Sequence, residues 1–313
     1  MKKKKELPLI FATDENYAPF FAVAAASVLA NVSKEYDCTF YLLNAGLEAS
    51  CLEKLEGFFE GRAKLVPVDV KEKLAACADA LHLRDYYTAT TYYRFFIPDL
   101  FPGIGKCLYL DCDILVRGDI SKLYETELGS DNWLGAVTDD IVSTNPLFSL
   151  YSLIVLGVQP KDYINAGILV MDLDALRRID VEKQFIRLAK KRRLPVAQDQ
   201  DYLNLIARGH ILNIRHEWNY TPIPLRWESE EETDPLLVHF KMNYKPWHYR
   251  DIPYEDEFWR HAAKTPFIGI LRDMLSDYGE EDMERDARQA EALEDLAGSE
   301  VCDIAGISPA GIR

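Results

Sequence analysis

No C-x-x-C pair occurs in the 313 residues, although six cysteines are present, at 38, 51, 77, 107, 112 and 302. That absence removes zinc knuckles and dithiol redox motifs. A chain of this length buries enough core to need no disulfide framework, so reduced thiols in a cytosolic protein are expected. Basic charge is short as well: 36 Lys and Arg face 51 Asp and Glu, a formal net of −15. Such a surface argues against nucleic acid and against a polybasic grip on an anionic membrane. It still admits a phosphorylated ligand where a cation or a local basic pocket meets the phosphates. Long apolar runs are missing too. The start, MKKKKELPLIFA, imitates a signal peptide, but its apolar stretch breaks at Thr13-Asp14-Glu15-Asn16, short of a core of roughly 7–15 residues. The run Ala18–Ala30 follows acids and is shorter than the roughly 20 residues of a membrane span. A cytoplasmic protein with no transmembrane segment is expected. No internal repeat is visible.

What is present is an alternation of short apolar runs with helical patterns. Leu7–Ala12 reads as a buried strand and Ala18–Ala30 as the helix packed on it. Cys38–Leu43 and Ala63–Val70 are strand-like, Pro67 marking the second as an edge. Leu52, Leu55, Phe58 and Phe59 recur at helical spacing between them. Cys107–Leu110, Trp133–Val137 and Ile168–Met171 add further short strands. The alternation predicts an α/β fold with a mostly parallel sheet covered on both faces. Function then belongs at the carboxyl ends of the strands. The region from Asp139 to Asp162 is broken by Ser, Asn and Pro and reads as a long ordered excursion over that edge. The segment 279–296, GEEDMERDARQAEALEDL, reads as a solvated, partly disordered helical tail.

Asp111-Cys112-Asp113 follows the strand CLYL. Two carboxylates one residue apart in an extended segment point the same way and can hold one hard divalent cation, although a solvated turn also produces the pattern. Haloacid-dehalogenase-type phosphatases place D-x-D after a strand too, with Asp111 then the nucleophile of a phosphohydrolase. Their motif wants Thr or Val where Leu115 stands, which makes this the distant alternative. His239 follows the run Leu236–Val238, and Lys245 lies six residues on in Lys245-Pro246-Trp247-His248. An imidazole and an ammonium near two carboxylates suit a metal-bound diphosphate. Asp199-Gln200-Asp201 opens a helical stretch. Those residues serve either as capping acids or as a polar cluster for a hydroxyl-rich ligand. Asn165, in Tyr163-Ile164-Asn165-Ala166-Gly167, stands just before a strand, and Arg94 sits among aromatics in Thr90-Thr91-Tyr92-Tyr93-Arg94-Phe95-Phe96.

FATDENYAPF, TTYYRF, LYLDCDILV, YINAGILVMDL, QDQDYLN and H-x5-K-P-W-H occur in this order. With them the chain resembles the family 8 retaining glycosyltransferases over roughly residues 7 to 250. The resemblance implies a GT-A fold: a Rossmann-like, nucleotide-binding mixed sheet flanked by helices. It places a catalytic domain over 1–265 and an acidic helical extension over 266–313, with a UDP-hexose donor, Mn²⁺ or Mg²⁺, and a saccharide acceptor. Carried over residue by residue, Ala12, Asp14, Asn16 and Tyr17 surround the uridine, Tyr17 stacking on uracil. Asp111, Asp113 and His239 bind the metal, Cys112 lying between the two acids. Arg94 and Lys245 face the donor's phosphates and sugar. Asn165, Asp199 and Gln200 hold the hexose, with Asp201 beside them. Thr91, Tyr86 and Tyr87 fall near donor or acceptor. Gln200 is a poor nucleophile, which favours front-face attack over a covalent intermediate on Asp199 or Asp201. One departure stands out: the family reads H-x-x-G-x-x-K-P-W, and here Met242 stands in place of the glycine. The acidic segment also replaces the family's basic, aromatic, membrane-attaching tail, which speaks against an acceptor at a membrane surface. A UDP-sugar-binding or self-glycosylating protein of the same fold is the runner-up.

Overall fold

Leu7, Leu9 and Phe11 of the first strand face one apolar cluster and Ile10 faces another, so this strand lies at the centre of a sheet covered on both sides. The structure is a computed structural model that describes residues 3–81, 89–222 and 234–306. Tyr86 and Tyr87 lie outside the described residues. Strand β1 (Lys5–Ala12) leads into helix α1 (Ala18–Asn31), β2 (Tyr36–Asn44), α2 (Ala49–Phe59), β3 (Lys64–Asp69), α3 (Lys71–Cys77) and α4 (Ile97–Leu100). Then come β4 (Lys106–Leu110), β5 (Ile114–Val116), α5 (Ile120–Tyr124) and β6 (Leu134–Ala136). Helices α6 (Asp140–Thr144) and α7 (Pro146–Tyr151) precede β7 (Ile168–Asp172), α8 (Leu173–Arg178), α9 (Val181–Lys191) and α10 (Asp199–Ile206). Strands β8 (Ile211–Asn213) and β9 (Leu237–His239) follow, and helices Glu255–Ala262, Ile268–Asp277 and Glu280–Ala305 complete the described chain.

The seven-stranded sheet runs β3-β2-β1-β4-β7-β6-β8, with a separate β5-β9 ribbon. Strand β3 occupies an edge, where Pro67 costs no ladder bond on the open side. The sheet is mixed: it is mostly parallel, as expected, but β7 runs antiparallel to both neighbours, β4 and β6. That reversal matters for the site. The carboxyl ends of β1, β4 and β6 and the amino end of β7 all open on the same edge. Asp111, Asp139 and Asn165 are thereby brought to one crevice from three separate loops.

Two expectations change. The excursion from Asp139 is not a bare loop: it contains α6, α7, a π-helical turn at Ser152–Leu156 and a 3₁₀ turn at Pro160–Asp162. Asp139 caps α6 by accepting from the Ile141 and Val142 N–H groups, and Asn145 caps α7 through Leu147 and Phe148. Helices this short show no readable period; their capping side chains, not periodicity, define them. The acidic segment also differs. It forms one helix, Glu280–Ala305, and Leu293, Ala297, Val301 and Cys302 are buried. Four-residue spacing from 293 to 301 makes a narrow apolar stripe on an otherwise charged rod. Among the described residues no helix is long and apolar enough to cross a membrane.

Candidate active site

Strand β4 ends at Leu110, and the Asp111 N–H donates to the Gly167 carbonyl at 2.8 Å, closing the sheet at the crevice. Beyond it the two acids face their partners. Asp111 Oδ1 accepts from the Tyr109 hydroxyl at 2.8 Å and from Arg94 at 3.2 Å. Asp113 Oδ1 lies 3.1 Å from His239 Nε2, and its Oδ2 accepts from Lys245 Nζ at 2.5 Å. Asp111 Oδ2 is 3.9 Å from the same imidazole nitrogen. One ligand atom from each of Asp111, Asp113 and His239 therefore falls within 4.8 Å of the other two. Burial acts to raise the Asp113 carboxyl, but the Lys245 ammonium and the His239 imidazole together outweigh it and hold the group below its ordinary value. Gly167 lets this cluster close. A Cβ there would sit 2.4 Å from His239 Cε1 and 2.5 Å from Asp111 Oδ2, so only a glycine backbone can approach so closely.

A chain of amides orients the imidazole. The Asp139 carboxylate can only accept, and its Oδ2 takes hydrogen bonds from Asn165 Nδ2 at 3.0 Å and Lys241 Nζ at 3.2 Å. The Gly167 N–H donates to Asn165 Oδ1 at 3.0 Å, which fixes that amide at its other end. Asn219 Nδ2 then donates to the same Oδ1 at 2.9 Å, leaving Asn219 Oδ1 to face His239 Nδ1 at 3.0 Å. The proton of a neutral His239 accordingly belongs on Nδ1, and Nε2 presents its lone pair. Three electron-rich atoms, Nε2 and one oxygen from each acid, thus crowd one point. Such a set fits a divalent cation that takes carboxylate and imidazole together, and the relay is the kind of outer support such ligands carry.

The other expected residues separate into those that line the crevice and those that do not. Ala12, Tyr17, Thr91, Arg94, Cys112, Asn165, Asp199, Gln200 and Lys245 line it, together with the three cluster residues. Cys112 is buried, its thiol donating to the Ala12 carbonyl at 3.2 Å. Asp14 and Asn16 are not among the lining residues. Asp14 instead accepts from the Tyr17 N–H at 3.0 Å and shapes the turn into α1. Asp201 is the clearest correction to the expected sugar cluster. It is fully buried, and its two oxygens accept from Tyr163 at 2.6 Å, Tyr151 at 2.7 Å and the Ala197 N–H at 3.0 Å. It anchors α7 and the segment leading into β7 to α10 and has no oxygen left for a sugar. Asp199 pairs with Arg94 at 3.0 Å, both buried. Burial pushes the Asp199 carboxyl up, against the pull of that guanidinium. Arg94 lies over the Tyr109 ring and also donates to the Thr91 and Ala166 carbonyls. Its donors are occupied by protein, so it braces the two acids more than it reaches outward. Gln200 Oε1 accepts from Asn165 Nδ2 and from the Ala166 N–H, each at 3.0 Å.

Four contributors escaped the sequence reading. Asp139 follows β6 as Asp111 follows β4, so the carboxyl-end rule was the available signal. Asn219 and Tyr109 carried none. Leu293, from the acidic helix, lines the crevice beside Phe148 and Met242. Met242, which stands where the family has glycine, adopts a left-handed backbone, with φ of 60°.

A crevice lined by acids, an imidazole and amides at the strand ends of a mixed α/β sheet is what this geometry defines. The chain matches the model of glycosyl transferase family 8 over residues 8–251, and it belongs to that family. It is 26% identical over 289 residues to General stress protein A of Bacillus subtilis (strain 168), covering 86% of this chain and 98% of that protein. It is 24% identical over 293 residues to lipopolysaccharide 1,2-glucosyltransferase of Escherichia coli (strain K12), covering 85% and 82%. Among solved structures, the galactosyltransferase LgtC in complex with donor and acceptor sugar analogs superposes with a TM-score of 0.68 at 28% identity, covering 83% of this chain and 96% of that one. The bifunctional glycosyltransferase WbbM shares the fold, with a TM-score of 0.73 at 22% identity, covering 87% of this chain and 52% of that one. The fold is GT-A.

Proposed function

We propose that the chain is a metal-dependent, retaining hexosyltransferase that moves glucose or galactose from a UDP-sugar to a hydroxyl of a saccharide acceptor. The carrying observation is the convergence of Asp111, Asp113 and the His239 lone pair on one point, with Lys245 2.5 Å from Asp113. A divalent cation held by those three ligands, Mn²⁺ or Mg²⁺, would supply charge neutralisation to the leaving diphosphate. Lys245 adds a fixed positive charge on the same side. Ala12 and Tyr17 line the uridine end, and Asn165, Asp199 and Gln200 line the hexose end. The bond from the anomeric carbon to the diphosphate breaks as the acceptor oxygen bonds to the same face, its proton passing to the departing phosphate oxygen. Gln200 steadies the positive charge growing on the sugar. Support for this front-face route over a covalent intermediate comes from the carboxylates themselves: Asp201 is fully buried on tyrosines, and Asp199 is held by Arg94. The names of the relatives, a glucosyltransferase and a galactosyltransferase, support a hexose donor. Six free, buried cysteines support a cytoplasmic setting.

The test is calorimetric titration of UDP in the presence of Mn²⁺, with release of UDP from UDP-glucose and UDP-galactose followed in parallel. The wild type binds UDP only with metal and releases it slowly even without acceptor. Asp111→Asn and Asp113→Asn lose the metal-dependent binding. Unchanged titrations in either variant would refute the metal assignment, and sugar found on the protein by mass spectrometry would favour self-glycosylation.

A further inference from the structure

The acidic helix Glu280–Ala305 carries one buried residue between 280 and 292, and it is an aspartate. Asp286 Oδ2 accepts from the Tyr249 hydroxyl at 2.9 Å and from the Tyr278 hydroxyl at 2.5 Å. Its backbone carbonyl accepts from Asn243 Nδ2 at 3.3 Å. Tyr278 in turn stacks on His248 with ring centres 4.1 Å apart. Asn243, His248 and Tyr249 all belong to the turn that carries Lys245. That turn begins at Met242 in left-handed backbone, a conformation a side chain disfavours and that surrounding contacts must hold. On its other side Trp247 stacks on Phe20 of α1 at 3.9 Å. The turn is thus gripped from two directions, and Lys245 reaches from it to Asp113 at 2.5 Å and the Phe240 carbonyl at 2.7 Å. A buried carboxylate is costly unless its oxygens are satisfied, so its use here points to a demand for two hydroxyl donors at one place. Burial and the Asp286 carboxylate both push the Tyr249 and Tyr278 phenols up from their ordinary values, so both remain donors.

We propose that Asp286 is a positioning residue for Lys245: it ties the acidic helix to the turn 242–249 and so holds the ammonium where the donor's diphosphate binds. This rests on the UDP-sugar reading above. The acidic helix is on this account a working part of the donor site.

The experiment uses the full chain. Calorimetry with UDP and Mn²⁺, an NMR titration with uridine, and hydrogen exchange of the 242–249 amides are run on the wild type and on D286A, D286N and Y249F. The expected result is UDP binding weakened between about tenfold and a hundredfold in D286A, the scale of an ångström-level misplacement, with uridine binding within about twofold and faster exchange in the turn. D286N, which keeps one acceptor oxygen, falls between, and Y249F reads the same tether if D286A fails to fold. R288A, an exposed change two residues along the helix, leaves UDP binding unchanged. UDP binding retained in D286A and Y249F overturns the proposal. Equal loss of UDP and uridine also overturns it, because the whole crevice would then have moved. A wild type that binds no UDP with Mn²⁺ sinks the donor reading instead, whatever the exchange data show.

Discussion

Gly167 shows how far a single residue sets the chemistry. Its missing side chain is the space in which His239 and Asp111 meet, at 2.4 and 2.5 Å from where a Cβ would stand. Gly167→Ala must therefore push the imidazole or the carboxylate aside. The expected outcome is a loss of Mn²⁺ affinity of about tenfold or more, read by electron paramagnetic resonance or calorimetry without any substrate. Affinity equal to wild type would mean that the cluster does not bind the metal as a unit. Met242 makes the converse point. It carries a side chain where the family has glycine, yet its backbone is left-handed, with φ of 60°. A non-glycine residue there costs about 1–2 kcal/mol, which the anchors on either side of the turn offset.

Among the elements, α6 is the clearest case of a short helix with two tasks. Asp139 caps it and also holds Asn165, Lys241 and, at 3.5 Å, Gln200. Burial acts to raise the Asp139 carboxyl, but the Lys241 ammonium, the Val142 N–H and the Asn165 amide outweigh burial and hold it below its ordinary value. A depressed carboxyl contributes stability above its unfolded value of about 3.9, and that contribution disappears as pH falls through and below it. Asp139→Asn is therefore less stable than wild type by about 1–3 kcal/mol near neutrality, and the two converge in acid. Thermal midpoints measured from pH 3 to pH 7 check this; a constant gap across the range would contradict it. The central strands were legible because both faces of each are apolar, as in β1 and β4. The orientation of β7 was not. ILVMD reads the same way in either direction, and only its ladders with β4 and β6 distinguish them. Strands β5 and β8 have three residues each, too few for a period to register.

For the whole molecule, the net charge of −15 has a different meaning than at first sight. Part of the acid gathers at the crevice, where Asp111 and Asp113 turn it into a cation site. Much of the rest lies along the helix Glu280–Ala305, whose far side is no loose appendage. Ala297 is fully buried there and Leu293 reaches the crevice. Ala297→Asp places an unpaired charge in that contact and is expected to cost about 3 kcal/mol or more. The readouts are a lowered thermal midpoint and fast hydrogen exchange along residues 286–305. An unchanged midpoint would show that the helix contributes nothing to the fold.

The sequence by itself determined most of the strands, the edge position of β3 and the D-x-D after β4. The family resemblance, carried by motifs in a fixed order, implied the imidazole and ammonium near them. Only the tertiary structure decided which neighbours each polar group spends its hydrogen bonds on. Arg94, Asp199 and Asp201 looked alike as candidates for a sugar. In the fold Arg94 and Asp199 brace each other beside the crevice, while Asp201 disappears beneath two tyrosines. Asn219 joined the site with no local signal at all. The physical reason is that a polar side chain's role depends on which donors and acceptors surround it. Those come from segments dozens of residues away, brought together by a reversed strand and a helix from the far end of the described chain.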